Sequence, residues 1–64
     1  MIRLAGEVTN VSYPPNKADK VRTVTVWIPE IEEHLEVTVL LKDFQQYELQ
    51  DGNRIQISIN KVFG

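Results

Sequence analysis

The chain contains no cysteine, which excludes a disulfide framework and any thiolate-ligated metal site as sources of stability. It contains a single histidine, His34, with no nucleophile motif around it. An activated nucleophile needs a positioned base as neighbour, so nothing in the sequence specifies catalysis, and a non-enzyme with no cofactor is expected. The glycines Gly6, Gly52 and Gly64 are scattered and form no phosphate-cradling loop. No stretch approaches the roughly 18 apolar residues of a membrane-spanning helix. The N-terminal run Met1 to Val8 enters an alternating pattern at once, without the apolar core of a leader peptide. These absences predict a soluble, unexported, cytoplasmic protein. With 64 residues and a formal net charge of -2, the chain is expected to be one domain, residues 1–64, without a surface that is basic all round. A single core of this size supplies only about 3–5 kcal/mol of net stability, so self-association into a homo-oligomer is expected to add to it.

What the chain has is alternation. From Val21 to Ile28, the residues Val24, Val26 and Ile28 point one way and Thr23, Thr25 and Trp27 the other. A first strand reads from about Ile2 to Tyr13, with Ile2, Leu4, Gly6 and Val8 in one phase and Val11 and Tyr13 in the opposite phase. A phase change inside a long strand predicts a bulge or bend, and Gly6 suits close approach or sharp curvature. Pro14 and Pro15 end this strand, and a polar loop carries Lys17 and Lys20. Leu35, Val37, Val39 and Leu41 give the inward phase of a third strand. If inward residues pair across a turn at Pro29 to Glu33, then Ile28 faces Leu35, Val26 faces Val37, Trp27 faces Glu36 and Thr25 faces Thr38. Asp43 followed by Gln46 reads as a capping box opening a short helical turn that holds Phe44 and Tyr47. Leu49 to Gly52 closes that turn, and Ile55, Ile57 and Ile59 alternate with polar residues in a fourth strand ending near Phe63.

This order predicts an all-β fold: a small curved sheet or partly open barrel, OB-like or SH3-like, with about four strands and one short helical turn between strands 3 and 4. A flat open sheet is disfavoured because it leaves edges that invite pairing with another chain, for which a dimer is the remedy. The segment Leu35 to Phe63, with Leu49-x-x-Gly52-x-x-Ile55-x-Ile57, resembles the latter half of OB-fold single-stranded-DNA-binding domains, and Gly6-Glu7-Val8 resembles the start of their first strand. The resemblance covers about half of the chain. It implies structural roles for that leucine and glycine, a curved barrel, and a nucleic-acid ligand. The sequence departs from the family in having no clear fifth strand after Phe63 and no acidic tail.

An outward aromatic on a curved sheet stacks on bases, so Trp27 is the leading binding candidate. Thr25, Thr23, Arg22, Lys20, Lys17 and Tyr13 are expected to supply polar, phosphate and aromatic contacts beside it. The plain alternative buries Trp27 under a subunit, the bent first strand or the Tyr13 loop. Phe44 and Tyr47 are expected to plug the barrel end as core residues. His34 with Glu30, Glu32, Glu33 and Glu36 lacks the second histidine or cysteine of a zinc site and reads as a solvated hairpin tip, so no metal is expected. The leading expectation is a module for single-stranded nucleic acid. The alternative is a protein-interaction module, an oligomer subunit, adaptor or small inhibitor, using the acidic hairpin Glu30 to Glu36 or a strand edge.

Overall fold

The alternating phases sort the side chains onto two faces of one sheet. The computed structural model describes residues 1–63 and holds β1 (Ile2–Ser12), β2 (Val21–Ile28), β3 (Glu33–Leu40), α1 (Leu41–Gln46) and β4 (Arg54–Ile59). Every paired neighbour is antiparallel and the strand order is β3-β2-β1-β4. The fold is mostly sheet, open and unclosed, with the short helix between strands 3 and 4. The disfavoured open edges are therefore present: β3 and β4 each pair on one side only.

One face is the core. Val8, Val24, Val26 and Ile28 are buried, and Leu4, Val11, Leu35, Val39, Phe44, Leu49, Ile55 and Ile57 pack around them partly buried. The phase change inside β1 is real and falls at Thr9, where the pairing steps from Val8↔Val26 to Asn10↔Thr25. The extra residue returns Val11 to the core side opposite Val24. Gly6 serves the other purpose expected of it. A Cβ there would lie 2.5 Å from Val26 Cγ1 and 2.9 Å from the Trp27 carbonyl oxygen, so only glycine lets β1 press this close to β2.

Three details differ from the expectation. The hairpin register is two residues shorter: Val26 faces Leu35, Val24 faces Val37, Trp27 faces His34, Thr25 faces Glu36 and Thr23 faces Thr38. The turn uses Pro29 to Glu32, with Glu32 at φ 53 and its N–H donated to the Pro29 carbonyl at 3.2 Å. A slip of two preserves the inward phase, so the turn decides the register. The helix starts at Leu41 without a side-chain cap. β3 runs straight into it, and the Leu41 N–H is satisfied by the Lys20 carbonyl at 2.8 Å, leaving Asp43 in the first turn, where its carboxylate complements the helix dipole. Finally, β4 ends at Ile59, and Phe63 is 83% exposed.

The helix closes through a Schellman motif. Tyr47 is the C-cap, the Glu48 N–H donates to Gln45 and the Leu49 N–H donates to Phe44. Leu49 thus returns, like Phe44, to pack against the buried cluster, and Tyr47, expected in the core, is left 70% exposed. Glu48 occupies the left-handed position at φ 50, where glycine is favoured. The chain then reaches β1 again: the Gly52 N–H donates to the Val8 carbonyl at 2.8 Å and the Val8 N–H to the Asn53 carbonyl at 2.9 Å.

Two substitutions test these points by thermal or denaturant unfolding. Glu48→Gly should stabilise the domain by about 1 kcal/mol through relief of the left-handed backbone cost. Gly6→Ala should destabilise it by about 1–3 kcal/mol, because the added methyl overpacks the β1–β2 contact.

Candidate nucleic-acid interface

The face opposite the core carries the second phase of β2. Thr23, Thr25 and Trp27 stand in a row there, all half-buried, and β3 adds Thr38, Glu36 and His34 directly opposite them. The Thr23 and Thr38 hydroxyls lie 3.2 Å apart and hydrogen-bond. On the other side of β2, Ser12 donates its hydroxyl to the Thr23 carbonyl and Thr9 to the Thr25 carbonyl, each at 3.4 Å. The row is therefore held from both sides, and the β1–β2 loop folds against its Thr23 end.

At the far end, Trp27 meets His34 with ring centroids 4.7 Å apart and planes tilted by 50°. Tilted contact suits the quadrupoles of two aromatic rings. Glu7 is the neighbour of Trp27 on β1 and Arg54 the neighbour of Glu7 on β4. A shallow hollow over Ala5 is bounded by Trp27, Pro29, Glu7 and Arg54. His34 is thus occupied as an aromatic partner. Among the described residues no group of three or more His, Asp or Glu side chains is gathered to hold a metal ion.

At the near end, the β1–β2 loop bends onto the same face. Pro14, Pro15 and Lys17 line a shallow hollow with Val21, Thr23 and Thr38. The loop is braced by the Lys17 N–H to the Pro14 carbonyl at 3.1 Å and the Val21 N–H to the Lys17 carbonyl at 3.0 Å. Lys17 and Lys20 are both exposed. Arg22 belongs to the other phase, opposite Val39. Its guanidinium carbon lies 4.5 Å from the Tyr13 ring centroid, and it donates to the carbonyls of Ala18 and Val21. Tyr13 is 64% exposed.

The structure thus gathers Lys17, Thr23, Thr25 and Trp27 on one strip. It sets Arg22 apart, paired with Tyr13 and committed to loop carbonyls. Trp27 is six residues from Val21 along β2, about 20 Å at strand rise, so the ring and Lys17 sit at opposite ends of the strip, whereas Lys20 lines a separate hollow with Leu40, Leu41 and Lys42 where β3 enters the helix. Sequence reasoning missed His34 as the neighbour of Trp27. The turn was the available signal, since a loop of Pro29 to Glu32 brings His34 opposite. Comparison with protein-family models, with curated proteins and with solved structures finds no match.

The aromatic pair has a direct spectroscopic consequence. Removing the imidazole by His34→Ala should change the near-ultraviolet circular dichroism and emission of the single tryptophan, while the far-ultraviolet spectrum and the fold persist. An unchanged Trp27 signal would show that the two rings are not in contact in solution.

Proposed function

We propose that this domain is a non-enzymatic binding module for single-stranded nucleic acid, laid along the outer face of β2 and β3. The observation that carries the reading is the half-buried strip on the outer face that runs from the Lys17 hollow through Thr23 and Thr25 to Trp27. Thr23 and Trp27 are about 13 Å apart along the strand, a span of a few nucleotides. The ring offers a stacking surface and the lysine end offers cations for phosphate. The resemblance to OB-fold single-stranded-DNA-binding domains points the same way.

The charge layout sets the strength. Glu36 lies opposite Thr25, and at the aromatic end Glu7 and Arg54 offset each other beside Trp27, so phosphate is welcomed chiefly at the loop. Binding is then expected to be modest, with about two phosphate contacts and a log–log salt slope of about -1.4.

Titration of a mixed-sequence oligonucleotide at low salt should quench Trp27 fluorescence. Trp27→Ala should cost about 1–3 kcal/mol of affinity, and Lys17→Ala with Lys20→Ala should flatten the salt dependence. Arg22→Ala should leave the salt slope unchanged, because its guanidinium is spent on Tyr13 and the loop. No quenching with protein in the tens-of-micromolar range, or an affinity indifferent to Trp27, would refute the reading.

A protein-interaction role has one separate observation in its favour: both sheet edges are unpaired. An edge strand is a template for strand addition.

A further inference from the structure

We infer that two copies of this chain pair edge to edge, β4 of each on β3 of the other, closing a single eight-stranded antiparallel barrel. Burial falls away from the centre of the sheet. The inward residues Val24, Val26 and Ile28 of β2 are buried, whereas Leu35, Val37 and Val39 of β3 and Ile55 and Ile57 of β4 are only half-buried, and Ile59 is 53% exposed. Each edge presents an apolar row that lacks a neighbouring strand.

The surface area agrees. The accessible surface is 5179 Å² for a 7.4 kDa chain, where a folded monomer of that mass exposes about 4,200 Å². The excess of about 1,000 Å² is close to the roughly 800 Å² that each partner buries in a stable interface.

The two edges fit each other better than either fits itself. Strand directions alternate across β3-β2-β1-β4, so a following β3 lies antiparallel to β4 with the apolar faces on the same side. One register pairs every inward residue: Leu35 with Ile59, Val37 with Ile57 and Val39 with Ile55. It matches the eight residues of β3 to residues 54–61 of the other copy, adding Asn60 and Lys61 to β4. Lys61 then stands opposite Glu33, beside the acidic turn that carries Glu30 and Glu32, whereas β3 against β3 would bring acidic edges together. Because each copy contributes four strands, a two-fold pair closes with no edge left over. Eight strands enclose an interior that side chains can fill, shared here with Phe44 and Leu49 of each copy, which already pack against the buried cluster. The strip bearing Trp27 stays on the outside.

Disulfide trapping tests this without background, since the chain has no cysteine. Directly opposed residues in an antiparallel ladder have Cα atoms about 4.5–5.5 Å apart, within disulfide reach. Within one chain the ladders set His34 level with Trp27, Glu7 and Arg54, so Lys61 lies about six residues, or about 20 Å, along the strand direction from Glu33, beyond disulfide reach. Glu33→Cys combined with Lys61→Cys, oxidised and run without reductant, should give a covalent dimer. Its mass spectrum should show the peptide that carries the Glu33→Cys change joined to the peptide of the other copy that carries Lys61→Cys. Ile59→Lys, at a side chain already half exposed, should keep the fold and weaken association by about tenfold or more, because pairing would desolvate an ammonium group. Sedimentation of the unmodified chain should show a monomer–dimer equilibrium. A strictly monomeric chain at millimolar concentration, a disulfide within one chain, a ladder of higher oligomers, or association indifferent to Ile59→Lys would each overturn the inference. The nucleic-acid reading is tested by different residues and survives any of these.

Discussion

The contact between the two central strands is the constraint on which the rest of this fold depends. All four buried hydrophobic side chains, Val8, Val24, Val26 and Ile28, belong to β1 and β2. They meet closely because Gly6 offers no Cβ to Val26 and Ile28. The bulge at Thr9 then lets one long strand serve two partners. Before it, Ile2, Leu4 and Gly6 face Ile59, Ile57 and Ile55 of β4, and after it Val11 rejoins the core opposite Val24. Without the inserted residue, every later side chain of β1 would fall on the wrong face. Val8 also ties the chain's return, since its N–H and carbonyl are both engaged by residues 52 and 53. Packing, curvature and the entry into β4 therefore share one locus.

The strands were legible because alternation reports burial directly. Val24, Val26 and Ile28 could be assigned inward from period alone, and so could the phase switch of β1. The hairpin register was not legible in the same way. Pairing Ile28 with Leu35 or with Glu33 leaves the parity of every side chain intact, so the hydrophobic pattern is silent between them. The turn breaks the tie, and its left-handed residue is a glutamate, Glu32, where a sequence reader looks for glycine or asparagine. The same disguise hides the end of α1. Its Schellman geometry is complete, but Glu48 rather than glycine holds the left-handed position. At the start of the helix the capping-box pattern misled, because a backbone carbonyl, that of Lys20, already satisfies the Leu41 N–H and β3 leads directly into the first turn.

Those two turns also decide the surface. The shorter register puts His34 against Trp27 and moves Glu36 to Thr25, so the carboxylate that the alternation alone sets across from the ring lies one position further along the strip. The Schellman turn sends Leu49 inward and leaves Tyr47 outside. The lysines stayed where the sequence placed them, on the β1–β2 loop, and the fold of that loop carries Lys17 onto the face of Thr23. Arg22 was separable in principle, since it shares the phase of Val24, but its commitment to Tyr13 and to loop carbonyls is a tertiary fact.

Edge and outer face are different parts of one sheet, and thermodynamics still couples them. With four hydrophobic side chains buried among the described residues, the isolated chain belongs to the size class of marginal stability, where association raises the folded fraction by mass action. The outer strip exists only when β2 and β3 are paired, because Thr23 and Thr38, and Trp27 and His34, come from different strands. Any ligand on that strip therefore binds with an apparent dissociation constant divided by the folded fraction. If the edges pair as proposed, conditions that favour the pairing also tighten binding on a face that the pairing never touches. Under the proposed pairing, the coupling needs no shape change and no path of contacts between the two surfaces, only that association make the folded population depend on concentration.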